Sequence, residues 1–110
     1  MTMASIGVDI EEISRFSKRR YDTRKEFYDK IFTPDEIKYC LSKADPYPHF
    51  AVRFCAKEAA VKALNEKIFL KNVEIKMIRQ KPIIRLPGKK KGLVSLSHTK
   101  NYAVAFVMIC

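Results

Sequence analysis

The chain is 110 residues long and carries 22 Lys or Arg against 12 Asp or Glu, a formal net charge of +10. That length supports one domain, predicted to span residues 1–110, and 47% apolar residues, 11% aromatic residues and three Gly exclude a disordered tail or a collagen-like chain. The longest uncharged apolar stretch, residues 102–110, is about half of the roughly 20 residues that a bilayer-spanning helix needs, which excludes a transmembrane helix.

In chain order, residues 1–12 have no basic region and meet carboxylates before an apolar segment develops, unlike a signal peptide, so the expected compartment is the cytoplasm. Residues 4–11 alternate, with Ile6, Val8 and Ile10 on one side and Ser5, Gly7, Asp9 and Glu11 on the other, the pattern of a half-buried strand. Residues 13–31 mix Arg and Lys with aromatic residues and read as one or two basic helices. Thr33-Pro34-Asp35-Glu36 carries the signature of a capping box with Pro at the first helical position, predicting a helix over residues 34–42. Asp45-Pro46-Tyr47-Pro48 reads as a linker. Residues 49–65, rich in Ala and free of Gly and Pro, predict the longest helix. Strands are expected at 73–79, 83–86, 93–97 and 102–109, separated by Gln80-Lys81-Pro82, by residues 87–92 with the Lys89–Lys91 triplet as a solvated hairpin tip, and by His98-Thr99-Lys100-Asn101. Helices gather in the first half and strands in the second, which predicts an α+β fold with an antiparallel sheet.

Cys40, Cys55 and Cys110, odd in number and without a Cys-x-x-Cys pair, read as reduced fillers. A basic surface implies an acidic partner: nucleic acid, an anionic membrane, a phosphate-bearing substrate or an acidic protein. A chain this short often gains core by oligomerising.

Few residues stand out as chemistry. Glu58 and Lys62 sit four apart on one face of the long helix, where the ordinary reading is a surface ion pair worth a few tenths of a kcal/mol. Ala51, Ala56, Ala59, Ala60 and Ala63 keep that helix slim, so a backbone or ligand can approach closely. Arg53 and Lys57 form a second i, i+4 pair of like charge, read from spacing as a solvated basic face. Asp is disfavoured in strands, so Asp9 invites a reason, and Gly7 on the same side would clear space beside it. Carboxylates from a strand and a helix with a Lys nearby would suit Mg²⁺ bridged to phosphate oxygens. Ser97 and His98 are adjacent on a strand and face opposite ways, which removes a Ser-His-Asp triad, and His49 reads as a helix-start residue. No Walker A, dinucleotide or zinc signature is present.

Taken together, Gly7-Val8-Asp9 with Arg15, Ile31-Phe32-Thr33-Pro34-Asp35-Glu36, Arg53-Phe54-Cys55-Ala56-Lys57-Glu58-Ala59-Ala60-Val61-Lys62-Ala63 and Val94-Ser95-Leu96-Ser97-His98-Thr99 resemble holo-acyl-carrier-protein synthase, the small stand-alone type of 4′-phosphopantetheinyl transferase. The resemblance implies an antiparallel sheet packed against one long helix and shorter helices, and a homotrimer with active sites at subunit interfaces. It also implies transfer of phosphopantetheine from coenzyme A to a serine of apo acyl carrier protein, releasing 3′,5′-ADP. Asp9 and Glu58 match the Mg²⁺ ligands, Glu58, Lys62 and Asp9 the catalytic set, and Arg53, Lys62 and His98 the coenzyme A-binding positions. Arg15, Arg19 and Arg24 match a face toward the carrier, extended by Lys18, Arg20 and Lys25, and the basic charge then meets an acidic protein, with neither a membrane nor nucleic acid as partner. The chain departs from the family after the long helix, where Asn65-Glu66-Lys67-Ile68 replaces a Gly-bearing turn, so that either the backbone there differs or Asn65 turns left-handed. It departs again before Pro82, where Gln80-Lys81 replaces Gly, and at residues 86–92, where a short helix is usual. The alternative is a small RNA-binding module, suggested by Phe16, Tyr21, Phe27 and Tyr28 among the basic residues.

Overall fold

The computed structural model describes residues 4–110, and residues 1–3, the opening of the segment read as unlike a signal peptide, lie outside the described residues. The chain runs β1 (Ser5–Glu12), α1 (Ser14–Ser17), a 3₁₀ turn (Tyr21–Thr23), α2 (Lys25–Ile31), α3 (Pro34–Leu41), α4 (Pro46–Leu64), a second 3₁₀ turn (Leu70–Asn72), β2 (Glu74–Ile78), β3 (Lys81–Arg85), β4 (Gly92–His98) and β5 (Tyr102–Ile109). The α+β prediction holds. β5 is the centre of an antiparallel sheet of order β1-β5-β4, while β2 and β3 form a separate two-stranded sheet.

α4 lies against one face of the larger sheet, and the residues on that face are small. Gly7 pairs with Val107 and Asp9 with Ala105, and Ala103, Ala105 and Val107 are buried with Ala56, Ala59, Ala60 and Ala63. A Cβ at Gly7 would sit 2.0 Å from the Ala59 carbonyl oxygen, so the strand can touch the helix backbone only with Gly there. This reverses the expected orientation of β1. Gly7, Asp9 and Glu11 turn toward α4, while Ile6, Val8 and Ile10 are 63%, 53% and 65% exposed on the opposite face. Alternation alone reports two faces; the slim helix selects the one with less side chain. Gly7 therefore makes room for a helix, not for the carboxylate beside it.

Residues 13–31 resolve into two short helices whose aromatic side chains anchor them to α4. Phe16 lies 5.4 Å from Phe54 and Tyr28 lies 4.6 Å from Phe50, both between ring centroids, and the Tyr28 hydroxyl donates to the Arg19 carbonyl at 2.6 Å. Phe16 and Tyr28 are fully buried, and Tyr21 and Phe27 are partly buried against the same core, so two of the four aromatics of the RNA-binding alternative are closed to a stacking base and the other two are shared with the core.

At Thr33 the capping box forms as read: Thr33 Oγ1 accepts from the Glu36 amide at 3.2 Å and Glu36 Oε1 accepts from the Thr33 amide at 2.8 Å. The expected linker at residues 45–48 is instead the start of α4, with Asp45 as N-cap accepting from the Tyr47 amide and Pro46 at the first position. Proline within a first turn removes only amide groups that have no helical partner. Asn65 closes α4 with φ 54°, so of the two alternatives it is the left-handed residue, not a changed backbone path, that replaces the Gly-bearing turn. β2 and β3 are joined by Arg79 and Gln80, both at positive φ (51° and 64°), so the expected separator Gln80-Lys81-Pro82 shrinks to a two-residue turn. Lys81 and Pro82 belong to β3, and Pro82 pairs with Met77 on a strand of a two-stranded sheet, where a missing N–H is tolerated. Residues 87–91 form a turn through Gly88 at φ 71°, without a helix.

Candidate functional site

At the contact of β1 with α4, the Lys62 amine donates to the Val8 carbonyl at 3.0 Å and lies 3.2 Å from Asp9 Oδ1. Glu58 stands one turn earlier on the same helix and is half-buried. Burial pushes its carboxyl above the ordinary range, and the charge of Asp9 pushes it further, with Glu11 adding to them; Arg15 and Lys62 pull the other way. Asp9 and Glu58 thus share one electrostatic neighbourhood, and Lys62 belongs to both.

Glu11, two residues beyond Asp9 on the same side of β1, is a third acid at this place. It holds Arg15 at 2.8 Å, and the Arg15 guanidinium lies 4.7 Å from the Phe54 ring. Reading the residues singly missed Glu11, although its i+2 spacing from Asp9 places both carboxylates on one face of a strand. Cys55 lies beneath this cluster, its thiol donating to the Ala103 carbonyl at 3.4 Å. Burial, then Asp9 and Glu11, push that thiol up to about 12, so it stays protonated and inert, as expected of a filler.

The basic residues continue from Arg15. Arg19 donates to the Arg15 carbonyl at 2.8 Å, and the Arg20 guanidinium lies 4.8 Å from the Tyr47 ring. Lys18, Arg19, Arg20, Arg24 and Lys25 are all exposed.

Arg53 and Lys57, read from spacing as a solvated basic face, are both buried. The Lys57 amine pairs with Glu36 Oε1 at 2.8 Å and donates to the Leu70 carbonyl at 3.1 Å and to the Val73 carbonyl, while Glu36 Oε2 accepts from the Ile75 amide at 2.8 Å. Lys57 therefore fastens α4 to α3 and to the entry of β2. Arg53 sits farther toward the start of α4, its guanidinium 4.3 Å from the Tyr39 ring, near His49, whose ring centroid is 6.3 Å from that of His98. The residues matched to coenzyme A binding thus fall in two places, Lys62 beside the acids and Arg53 with His98 at the helix start. No helix among the described residues is long and apolar enough to cross a membrane.

Residues 5–107 match the family model of the 4′-phosphopantetheinyl transferase superfamily. The chain is 44% identical over 108 residues to a holo-[acyl-carrier-protein] synthase of Thermodesulfovibrio yellowstonii, covering 94% of this chain and 96% of that protein. It is 40% identical over 119 residues to one of Chlamydia felis, covering 98% of each. Among solved structures, a Bacillus anthracis holo-(acyl-carrier-protein) synthase in complex with coenzyme A (3′,5′-ADP) superposes with a TM-score of 0.84 at 28% identity, over 96% of this chain and 94% of that one. A Helicobacter pylori holo-[acyl-carrier-protein] synthase in complex with coenzyme A gives a TM-score of 0.82 at 29% identity, over 96% and 99%.

Proposed function

The chain belongs to the 4′-phosphopantetheinyl transferase superfamily, and from that premise we propose that residues 1–110 form one transferase domain whose β1–α4 cluster moves phosphopantetheine from coenzyme A to a serine of apo acyl carrier protein. The observation that carries the site assignment is the convergence of Asp9, Glu58 and Lys62 where Gly7 lets β1 reach the α4 backbone.

In the reaction the serine oxygen bonds to the phosphorus that carries the pantetheine arm, and the bond from that phosphorus to the oxygen of 3′,5′-ADP breaks. Glu58, half-buried one turn from Lys62, is the carboxylate placed to accept the serine proton, directly or through a water. Lys62, exposed and among the described residues bonded only to Asp9 and a backbone carbonyl, can turn to phosphate oxygens and offset the charge gathering on the departing ADP. The charge of Asp9 that, after burial, holds the Glu58 carboxyl above its ordinary range would be offset by a hard divalent cation, and this two-carboxylate chemistry suits an ion that takes the rest of its oxygen ligands from substrate phosphate and water, since the described residues hold no cluster of three such ligands. Asp9 and Glu58 would hold Mg²⁺, which when bound supplies neutralisation of the diphosphate.

Arg15, Arg19 and Arg24 present a basic face that suits an acidic carrier and should speed its association at low salt. The outward face of the larger sheet supports a homotrimer: Ile6, Val8, Ile10, Leu93 and Phe106 are all 43% to 65% exposed on it, an apolar surface that water disfavours and that a second copy would cover. The test mixes the protein with apo acyl carrier protein, coenzyme A and Mg²⁺ and weighs the carrier by mass spectrometry. The phosphopantetheine mass is expected on the carrier and is expected to vanish with EDTA; a carrier unchanged in mass would overturn the reading. Light scattering of Val8→Glu, expected to give monomers from trimers, tests the assembly separately.

A further inference from the structure

The start of α4 gathers positive and aromatic groups from three parts of the chain. Arg53 is 2% exposed. One of its terminal nitrogens donates to the His49 carbonyl at 3.1 Å, its plane rests on Tyr39, and its Nε is buried without any partner. A buried guanidinium N–H lacking an acceptor costs free energy that an anion can recover.

His49 precedes Arg53 by one turn, and its ring lies 6.1 Å from Tyr39 and 6.3 Å from His98, between centroids. The groups that face it are Arg53 and the N-cap Asp45 from its own helix, Tyr39 from α3, Lys43 from the turn before α4, and His98 from the end of β4. Of these Asp45 alone is acidic. Burial holds the His49 imidazole below its usual range, and Arg53, Lys43 and His98 hold it lower still against the weaker pull of Asp45. Burial and the neighbouring cations favour the uncharged ring in the free protein, and an anion brought against the two imidazoles reverses the balance.

We propose that His49 is a phosphate-recognising residue of the coenzyme A subsite, completing with His98 and the buried Arg53 guanidinium a cationic pocket in which the His49 imidazole takes up a proton as the anion docks. The proposal rests on the transferase reading and deepens it. A protonated imidazole offers two N–H donors to phosphate oxygens, and the unpaired Arg53 Nε offers a third. Because a proton enters with the ligand, affinity rises as the pH falls.

Calorimetry of coenzyme A binding with Mg²⁺, from about pH 8 to about pH 5.5, compares the intact chain with His49→Phe, which keeps an aromatic ring beside Tyr39 and His98 but cannot be protonated. The titration of the coenzyme's own phosphate is common to both proteins and cancels in their affinity ratio. That ratio is expected to grow on the order of 3- to 10-fold across the range in favour of the intact chain. On the unmutated chain, the His49 ring resonance followed by NMR is expected to titrate at higher pH once coenzyme A is added, a readout independent of whether the variant folds. A flat ratio with an unmoved titration overturns the proposal and leaves the transferase reading standing; an intact chain that binds no coenzyme A at any pH overturns both. Repeating the series with 3′-dephospho-coenzyme A assigns the anion: loss of the effect identifies the 3′-phosphate, and its persistence the diphosphate, either supporting the pocket.

Discussion

Lys57 and Glu58 are neighbours on α4, yet they belong to opposite kinds of chemistry. Lys57 and its partner Glu36 are fully buried, and every hydrogen-bonding group of the pair is occupied: the amine by one carboxylate and two carbonyls, the carboxylate by two amides and the amine. Glu58 and Lys62 stand at the edge of solvent beside Asp9 and Glu11, with more negative charge than the nearby cations tie down. The same residue types at nearly the same spacing are structural where their bonds are saturated and available for chemistry where they are not. Burial pushes the Lys57 amine down and the attraction of Glu36 pushes it back up, so the pair persists only as a unit.

Lys57→Ala gives the largest expected effect, because it leaves the Glu36 carboxylate buried and alone. A loss of about 3–5 kcal/mol of unfolding free energy is expected in urea titration, and Lys57→Met with Glu36→Leu is expected to recover part of it. A single mutant as stable as the parent would break the contrast at its structural end. Glu58→Gln and Asp9→Asn are expected to lower transfer by at least about 100-fold, roughly 2.7 kcal/mol of barrier, while the urea midpoint stays within about 1 kcal/mol of the parent. Loss of fold in these variants would show that the second cluster is structural too.

A pH series sharpens the same point. The folded Glu58 carboxyl binds its proton more tightly than an unfolded one, because of burial and Asp9. Between the ordinary carboxylate value of 4.5 and that raised value the folded state holds a proton the unfolded state has released. Glu58 therefore favours folding as the pH falls through this window and opposes it above. Glu58→Gln is expected to flatten that segment of the stability curve, and NMR titration of Glu58 is expected to move to lower pH in Asp9→Asn and to higher pH in Arg15→Ala. The smallest effect is expected far from both clusters, at the β2–β3 turn. Gln80→Gly relieves a non-glycine left-handed residue and is expected to add about 0.5–1 kcal/mol of stability with transfer unchanged.

Much of this was legible along the chain. The capping box at Thr33, the Ala-rich helix, the strands of the second half and the left-handed Asn65 each follow from local rules, since caps, propensity and positive φ are settled within a few residues. The pairing of Asp9 with Lys62 was legible only as a resemblance to a family motif. Glu11 went unread, as did the burial of Arg53 and Lys57, because an i, i+4 spacing says which residues share a helix face and nothing about what covers it.

By itself the sequence determined the class of fold, the capped start of α3 and the residue types from which a phosphate-handling site can be assembled. Tertiary structure alone decided which side of β1 is inward. A slim helix can approach a strand only over glycine and alanine, so the apolar residues Ile6, Val8 and Ile10 were turned outward and Asp9 inward. It also decided that one Lys would be locked in the core and another left free beside the acids, since whether a charge is saturated depends on partners far away in the chain: Glu36 and the carbonyls of residues 70 and 73 for Lys57, β1 alone for Lys62.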